Sequence, residues 1–418
     1  MLWGLLAGFA VFLGVGLRRG FAFFDLLRMA RGGVKESSIV IRILLTVGVL
    51  TGLWRSAGTF AVLTAWGLQL ITPSLFIVAA FLLPCALSYA IGTSFGTAGT
   101  MGVALMTLAR SGGVNELAAA GAILSGIYFG DRASPASSCA NLVAALTGTE
   151  LYGNVRFMMR TALLPLLLSL GFYLVLSLND PMTGMTGLDR TGPVSESLGF
   201  NLSAWAALPA LFMLVLPFFG VKIYPTFLTS IVCAFLCALF LQEQSLGEAL
   251  RCALMGFHAP EGSARAAFNG GGLVSMLEIC AVLVLSGSYS GIFGGTGMIE
   301  GLENRIAKGI GRWGAYPLTL LTGTLGNAIF CNQTIGVMVT VQAVRQPYER
   351  QGLSRTELAQ DVANSTVVTA GLIPWCLGCS VPLTMLGVSA RAIPYAVYLW
   401  LLPVCYAFMK GRWFRNGG

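Results

Sequence analysis

Long apolar runs recur along the whole chain, and polar residues collect in the short segments between them. The clearest apolar runs cover residues 75–92, 161–178, 204–220, 227–241, 273–287 and 392–408. Weaker apolar runs cover residues 2–17, 38–54, 57–72, 101–126, 315–343 and 356–390. Since roughly 20 apolar residues in a helix cross about 30 Å of hydrocarbon, the pattern predicts about ten to twelve membrane spans or half-spans.

The composition supports this interpretation. Of the 418 residues, 56% are hydrophobic and only 10% are charged, and the mean hydropathy is +0.79. A soluble domain carries about 25% charged residues. We therefore expect an all-α polytopic membrane protein that is surrounded by membrane lipid.

The net charge of +8 reflects membrane topology rather than nucleic-acid binding. Basic residues cluster in short connections: Arg18, Arg19, Arg28, Arg31 and Lys35; Arg305, Lys308 and Arg312; Arg345, Arg350 and Arg355; Lys410, Arg412 and Arg415. By the positive-inside rule these connections and the C-terminus are cytoplasmic, and the connection 179–200, without a basic excess, is external. We expect a multi-pass protein of the cell membrane, specifically a bacterial cytoplasmic membrane.

The sequence contains little that indicates a bound cofactor or an enzyme active site. Cys376 and Cys379 form one CxxC without a second pair, and His258 is the sole histidine, so no zinc or redox site is expected. The glycine-rich stretch 92–102 lacks the lysine and the preceding strand of a phosphate loop. We expect no cofactor apart from a coupling ion, and we expect that the protein is not an enzyme.

A few charged residues lie within the apolar runs: Arg42, Arg55, Asp131, Arg132, Glu278 and Asp361. A charge at the centre of a membrane helix costs about 2.5–3.5 kcal/mol on insertion scales, so such residues usually face a cavity or a partner. Glu278 lies in the middle of its segment. It is either a proton carrier or a protonated, hydrogen-bonded core acid, and both alternatives stay open.

Three of these charges have simpler explanations. Arg42 and Arg55 lie near the two ends of one apolar run, where their side chains can reach the headgroups. Ser354 and Glu357 have the spacing of a capping box, which predicts that a helix begins near Arg355. Asp361 would then be a surface acid close to the start of this helix rather than a ligand.

Two regions of the chain share a pattern. In the first half, residues 88–103 interrupt an apolar run with glycines and hydroxyls, and the proline-containing stretch 130–141 follows. In the second half, residues 321–339 interrupt a run with amides, and the proline-containing stretch 364–378 follows. Such paired interruptions in two halves are the best sequence indication of a transporter's binding site.

The spacing of the interruptions matches between the halves. Thr97 and Pro135 are 38 positions apart (135 − 97), and Thr334 and Pro374 are 40 positions apart (374 − 334). A broken helix frees backbone carbonyls and amides. The carbonyls, together with hydroxyls and a carboxylate, can surround Na+, whereas the amides at half-helix N-termini attract anions. Glycine-mediated helix packing with proline kinks is the competing explanation.

At these motifs the sequence resembles the NhaC family of Na+/H+ antiporters within the wider ion-transporter superfamily. The resemblance rests on GTSFGTAGTMG, GAILSGIYFGDRASPASSCANL, GGLVSMLEICAVLVLSGSYSGIFGGTGMIEGLE and LIPWCLGCSVPLTMLGV, which span roughly residues 85–390. It implies two inverted structural repeats with broken helices, re-entrant hairpins and ion-coupled alternating access. We divide the chain into an N-terminal half 1–180, an external connection 181–203 and a C-terminal half 204–418.

The sequence departs from the family pattern at acidic positions. Ser138 stands where the family usually has a second acidic residue, and Cys139 replaces a threonine. Asn364 precedes Ser365 where the family commonly has an acid. The loss of two carboxylates removes proton- and cation-binding capacity, because a neutral side chain can offer oxygen to Na+ but cannot carry a proton.

We therefore expect a secondary active transporter that couples Na+ and H+ exchange, with its site between the two broken regions. The alternative is a Na+- or H+-coupled carrier of a small organic solute, either a carboxylate or an amino acid, as in relatives that exchange lactate and malate. A passive channel and an integral-membrane enzyme are the competing classes. Whether the protein forms a homodimer is left open.

The candidate ion site centres on Asp131, the expected ligand of Na+ or a proton. The other candidate ion- or proton-binding residues are Ser94, Thr97, Ser134 and Glu278. The candidate substrate-binding residues are Arg132, Ser137, Asn141, Asn327, Asn332, Gln333, Asn364 and Ser365. Arg132 would either orient Asp131 or meet a substrate carboxylate.

Overall fold

A computed structural model of the chain describes most of its residues. The described ranges are 2–63, 72–135, 137–181, 200–219, 221, 223–260, 265, 269–296 and 314–414. They contain helices and one isolated bridge between Phe257 and Gly270, with no strand. The all-α prediction is confirmed for this part of the chain. Parts of three predicted features lie outside it: the external connection, the basic cluster Arg305, Lys308 and Arg312, and Arg415.

The helices follow one another in the order that the apolar runs predict. In the first half they are α1 Leu2–Arg18, α2 Phe23–Ser56, α3 Phe76–Ile91, α4 Ser94–Thr97, α5 Val103–Ser111, α6 Glu116–Ala133, α7 Ser138–Thr147 and α8 Leu151–Asn179. In the second half they are α9 Leu208–Val215, α10 Ile223–Phe240, α11 Leu246–Met255, α12 Leu277–Gly295, α13 Ala315–Phe330, α14 Gln333–Arg350, α15 Arg355–Ala363, α16 Thr366–Thr369, α17 Leu377–Leu386 and α18 Val397–Phe414.

Breaks divide many of the apolar runs into helices shorter than a membrane span. Within the described ranges, α8 is long and apolar enough to cross a membrane, and the pair Arg355–Leu372 and Leu377–Leu386, bent by 48°, passes the same test together. The count of ten to twelve spans therefore stays a prediction.

The first break of each half has the same backbone conformation. Gly92, which follows α3, and Cys331, which follows α13, are both left-handed, with φ of 75° and 56°. Thr93 and Asn332 come next and are extended, with φ of −144° and −142°. Each of the two side chains accepts hydrogen bonds from backbone amides of the next helix, as an N-cap does.

The second break of each half also corresponds. A ten-residue helix follows each break: α7 begins after the N-cap Ser137, and α17 begins after the N-cap Cys376. These two helices end at the left-handed glycines Gly148 and Gly387, each with φ of 68°. The corresponding positions lie 239 residues apart (331 − 92, 376 − 137 and 387 − 148), so the two breaks have the same spacing in both halves.

Each half also contains a broken segment that doubles back. In the first turn of α3, the Ile77 amide donates to Ser177 Oγ at 3.2 Å. After α5, the Asn115 amide donates to Asp180 Oδ2 at 2.9 Å, so both ends of this segment lie at the end of α8. In the second half, Thr319 Oγ1 of α13 and Tyr348 OH of α14 are 2.7 Å apart.

Close packing fixes α3 against α6. The Ser88 hydroxyl donates to the Gly126 carbonyl at 2.9 Å and accepts from the Gly130 amide at 3.0 Å. A Cβ added at Gly130 would come within 2.0 Å of the Ser88 backbone. This approach requires glycine, and it places the end of α6, with Asp131, beside the first break.

The structure corrects the prediction for Asp361. This residue is 0% exposed rather than a surface acid, because α18 packs over it. Its carboxylate accepts hydrogen bonds from Tyr348 OH at 2.5 Å, from Tyr406 OH at 2.7 Å and from Lys410. Lys410 also binds Glu357 at 2.8 Å. The predicted helix start is confirmed, since α15 begins at Arg355 after its N-cap Ser354.

The ion pair between Lys410 and Asp361 yields a prediction about stability. Removal of one partner of a buried pair leaves an uncompensated charge and costs about 3–5 kcal/mol. We expect Lys410→Met to lower the free energy of unfolding by about this amount, measured by thermal or denaturant unfolding of the purified protein in detergent.

The exposed pair Arg345–Glu349 provides the matched control. Its side chains are 47% and 52% exposed, and exposed pairs contribute about 0–1 kcal/mol. Arg345→Met should therefore leave stability nearly unchanged. Equal losses in the two variants would contradict a structural role for Lys410.

Candidate functional site

Asp131 lies between helix starts that belong to different halves of the chain. It is near the end of α6 and is 5% exposed. The side-chain amide of Gln333, the first residue of α14, donates to Asp131 Oδ2 at 3.2 Å. The backbone amide of Ser94, the first residue of α4, also interacts with this carboxylate. The positive ends of helix dipoles favour a negative charge at such a position.

This arrangement limits what the carboxylate can bind. Gln333 also donates from the same nitrogen to the Val367 carbonyl at 2.9 Å, so its amide group is held in place. An ionised carboxylate attracts a cation, and the same group cannot hold a proton and a metal ion together. Asp131 is thus a buried carboxylate whose neighbouring donors come from both halves of the chain.

Arg132 is buried among neutral groups. It is 1% exposed, and one guanidinium nitrogen donates to Asn364 Oδ1 at 2.5 Å and to Thr161 Oγ1 at 3.3 Å. The other terminal nitrogen donates to a backbone carbonyl of α8 at 2.8 Å and to Tyr398 OH at 3.3 Å. Arg132 therefore joins α6 to α8, α18 and the end of α15.

The contacts of Arg132 bear on its two predicted roles. It forms no ion pair with Asp131 within the described ranges, because adjacent residues on a helix do not face each other. A role of Arg132 in orienting Asp131 stays a prediction. Its Nε has no hydrogen-bond partner in this part of the structure, so the expectation of a substrate contact is untested.

Three of the predicted hydroxyls stabilise the breaks. Thr97 donates to the Thr93 carbonyl at 2.8 Å, and Ser134 donates to the Tyr89 carbonyl at 2.6 Å. Ser137 donates to the Asp131 carbonyl and caps α7. These bonds satisfy carbonyls near the ends of broken helices, and each hydroxyl oxygen retains lone pairs.

The predicted residues of the second half are dispersed, apart from Gln333. Asn327 donates to the Thr366 carbonyl at 2.7 Å, which braces α13 against α16. Asn332 caps α14. Ser365 donates to a backbone carbonyl of α15 at 2.5 Å. These side chains therefore serve the two breaks rather than contact the Asp131 carboxylate.

Two further candidates stand apart from this site. Asn141 is exposed on α7 and donates to the carbonyls of Pro135 and Ser137 at 3.1 and 2.7 Å. Glu278 belongs to α12, but its side chain lies outside the described residues, and both of its predicted roles stay open.

Sequence reasoning missed the partners of Arg132. Thr161 and Tyr398 belong to apolar runs, and their positions carry no motif that marks them as partners of a distant arginine.

Within the described ranges, no group of three or more histidine, cysteine, aspartate or glutamate residues could hold a metal ion.

Comparisons with known proteins show that the chain is similar to several antiporters. The chain is 28% identical over 398 residues to the malate-2H+/Na+-lactate antiporter of Bacillus subtilis (strain 168), which covers 93% of this chain and 83% of that protein. It is 26% identical to the Na+/H+ antiporter NhaC of the same organism, over 92% of this chain and 86% of that protein. It is 27% identical to the arginine/ornithine antiporter ArcD of Halobacterium salinarum (strain ATCC 700922 / JCM 11081 / NRC-1), over 98% and 85%.

A sequence model of the Na+/H+ antiporter family matches residues 126–409. The matched range includes Asp131, Arg132 and both breaks of the second half. It covers more than half of the chain, so the resemblance predicted from the motifs is confirmed. The chain belongs to the Na+/H+ antiporter family.

Proposed function

We propose that the protein is a secondary active transporter that exchanges Na+ for H+ across the cell membrane by alternating access. The observation that carries the proposal is the position of Asp131 between the starts of α4 and α14, which occupy corresponding places in the two halves. Relatives named as Na+/H+ antiporters support the same activity.

The corresponding breaks support two inverted repeats, one in each of the halves 1–180 and 204–418 around the connection 181–203. The first doubled-back segment has its ends beside the end of α8, which leads to the proposed external connection. The second doubled-back segment has its ends beside Tyr348. Tyr348 contacts the Asp361 carboxylate, which also binds Lys410 of the proposed cytoplasmic C-terminal region. Two hairpins that enter from opposite faces would have inverted topology.

The exchange follows from competition at Asp131. When a proton occupies the carboxylate, its attraction for Na+ is lost, and Na+ binding requires release of the proton. Ser94, Thr97 and Ser134 would supply additional oxygens to Na+. Because Gln333 joins Asp131 across the two halves, relative movement of the halves would change the donors around the carboxylate. Glu278 remains the second proposed proton carrier.

Conversion of Asp131 to its amide tests this mechanism. Asp131→Asn keeps the size of the side chain but can neither carry a proton nor offer a charge to Na+. We expect this variant to lose at least about 100-fold of its Na+-driven proton movement, which is the lower end of the typical effect of losing one group that transfers a proton. A pH-sensitive dye inside proteoliposomes measures that movement.

Glu150→Gln is the matched control, since it makes the same chemical change at an exposed N-cap position of α8 whose side chain makes no capping bond. It should retain transport at the wild-type rate. The melting temperatures of both variants check that folding is intact. A folded Asp131→Asn protein with full coupled exchange would overturn the assignment of Asp131.

The organic-solute alternative is the second candidate function. The side chains that contact Arg132 are neutral, and its Nε has no hydrogen-bond partner within the described ranges. The printed names of two relatives include malate and lactate, or arginine and ornithine, as their exchanged solutes. These observations fit a coupled carrier of a small carboxylate or amino acid.

Ion flux without any organic solute separates the two candidates. We expect proteoliposomes that contain only inorganic salts to move protons when a Na+ gradient is applied, because a plain antiporter needs no other substrate. A pH-sensitive dye again provides the measurement. Proton movement that begins only after addition of lactate, malate, arginine or ornithine would instead establish the second candidate.

The proposed function comes with proposals for the location, the transported ions and the oligomeric state of the protein. The protein would lie in a bacterial cytoplasmic membrane with its C-terminus in the cytoplasm, in contact with membrane lipid. Na+ and H+ would be its partners in transport. We retain a homodimer as a proposal, because the apolar surface of α8 exposes Leu163, Leu167 and Val175 and can face either lipid or another protein.

A further inference from the structure

Three buried thiols lie where the two breaks of the second half approach each other. Cys331 follows α13 at the first break, Cys376 is the N-cap of α17 at the second break, and Cys379 lies in the first turn of α17. The sequence pattern concerned the pair Cys376 and Cys379 alone, because Cys331 lies 45 positions before Cys376 (376 − 331). The fold therefore adds a thiol that the CxxC spacing does not include.

Two hydrogen bonds join the breaks on either side of Cys376. The backbone amide of Leu377 donates to the Cys331 carbonyl at 2.8 Å. The indole of Trp375 donates to the Ala328 carbonyl at 2.8 Å. Both residues that flank Cys376 in the chain thus bind the end of α13, and this contact holds Cys376 beside Cys331.

Both thiols lie among the atoms that form this contact. The Cys331 thiol donates to the Ala328 carbonyl at 3.7 Å, and the same oxygen accepts the hydrogen bond from Trp375. The Leu377 amide interacts with the Cys376 thiol as well as with the Cys331 carbonyl. Cys331 is also one of the groups that act electrostatically on Cys376. The two side chains therefore share one junction between the breaks.

The separation of the two residues suits a disulfide. By standard backbone dimensions, the Cys331 oxygen and the Leu377 nitrogen lie about 2.4 Å from the Cα atoms of Cys331 and Cys376. With 2.8 Å between that oxygen and that nitrogen, the two Cα atoms are at most about 7.6 Å apart, and the bend of the path at the amide shortens this distance. Disulfides join Cα atoms roughly 4.4–6.8 Å apart, so closure needs at most a small movement of either break.

Neither cysteine is the residue that its backbone position prefers. Cys331 is left-handed with φ of 56°, a conformation that glycine adopts without strain, and Gly92 occupies the corresponding position of the first half. Cys376 occupies an N-cap position, where serine is preferred, and the corresponding N-cap of the first half is Ser137. The local backbone therefore does not account for a thiol at either break.

We propose that Cys331 and Cys376 form a redox-sensitive site, in which an oxidant joins the two thiols by a disulfide and thereby stops transport. Both S–H bonds break and one S–S bond forms. An azo compound such as diamide takes up the two electrons and the two protons, and its N=N bond is reduced to a hydrazine. A dithiol such as dithiothreitol returns both cysteines to thiols by thiol–disulfide exchange.

The disulfide would act on the proposed ion site through α14. Gln333 follows Cys331 by two positions and donates to Asp131 Oδ2 at 3.2 Å. The hydrogen bond between the breaks can open and re-form when the halves move, whereas a covalent bond would keep the start of α14 fixed against the start of α17. Motions of this kind set the rate of many proteins that open and close around a substrate. This effect on transport rests on the proposed function, but formation of the disulfide does not.

Peptide mapping tests the disulfide in the full-length protein in proteoliposomes. The reduced protein is treated with diamide while Na+ and H+ gradients are present, and the remaining thiols are alkylated after denaturation. We expect mass spectrometry to find a peptide pair joined through Cys331 and Cys376, which disappears after treatment with dithiothreitol. Recovery of both residues as alkylated thiols would overturn the proposal, and so would a disulfide between Cys376 and Cys379.

Serine variants show whether this pair controls exchange. We expect the wild type to lose most of its Na+-driven proton movement after diamide and to regain it after dithiothreitol. Cys376→Ser gives the second break the N-cap residue of the first half, and it should keep its rate in both conditions. Cys379→Ser is the matched control, since it removes a neighbouring buried thiol but keeps the pair, and it should stay sensitive. Equal sensitivity of Cys376→Ser and the wild type would refute control by this pair, as would full exchange by a protein that carries the disulfide.

Peptide mapping of Asp131→Asn separates this inference from the proposed function. Because the thiols do not involve the Asp131 carboxylate, this variant should form the same disulfide even though Na+-driven proton movement is lost. The disulfide would then be established whether or not Asp131 carries the exchanged ions. Its absence from both the wild type and Asp131→Asn would overturn the redox-sensitive site and leave the proposed role of Asp131 intact.

Discussion

Backbone polar groups inside a membrane must find hydrogen-bond partners within the protein. This requirement is strongest at the breaks in the helices. Each break exposes amides and carbonyls that lipid cannot satisfy. The Ser134 hydroxyl donates a hydrogen bond to the Tyr89 carbonyl, and the Asn332 side chain accepts hydrogen bonds from amides at the start of α14. Much of the polar chemistry in the predicted site therefore holds the breaks in shape, and the position of Asp131 depends on that shape.

The same constraint explains why the proposed ion site contains residues from both halves. A helix that begins inside the protein directs its amide groups at whatever lies in front of its first turn. In this structure the two such starts, at Ser94 and Gln333, converge on the Asp131 carboxylate. A transporter whose halves move relative to each other can use this convergence, because the environment of the charge changes when either helix start shifts.

The sequence predicted the all-helical fold, the family and the places of the breaks, since apolar periodicity and runs of glycine, hydroxyl and amide residues reflect local requirements of the backbone. It selected Asp131 as the candidate ion ligand because a charge within an apolar run usually faces a cavity or a partner, and that role is a proposal. It failed for Asp361, because burial under α18 and the tyrosine partners depend on tertiary packing. The partners of Arg132 were unpredictable for the same reason: Asn364 lies 232 positions away, and no local pattern records such a contact.

The two buried acids differ in one respect that bears on electrical behaviour. Asp361 is bound to Lys410, a cation that belongs to the chain and moves with it, whereas Asp131 has no ion-pair partner within the described ranges. Asp361 thus has a counter-ion within the chain, which it shares with Glu357. In a cycle that uses Asp131 alone, the carboxylate carries one Na+ in one direction and one proton in the other. Both loaded forms are neutral, so the membrane voltage would do no work on the exchange, and the concentration gradients alone would set its direction.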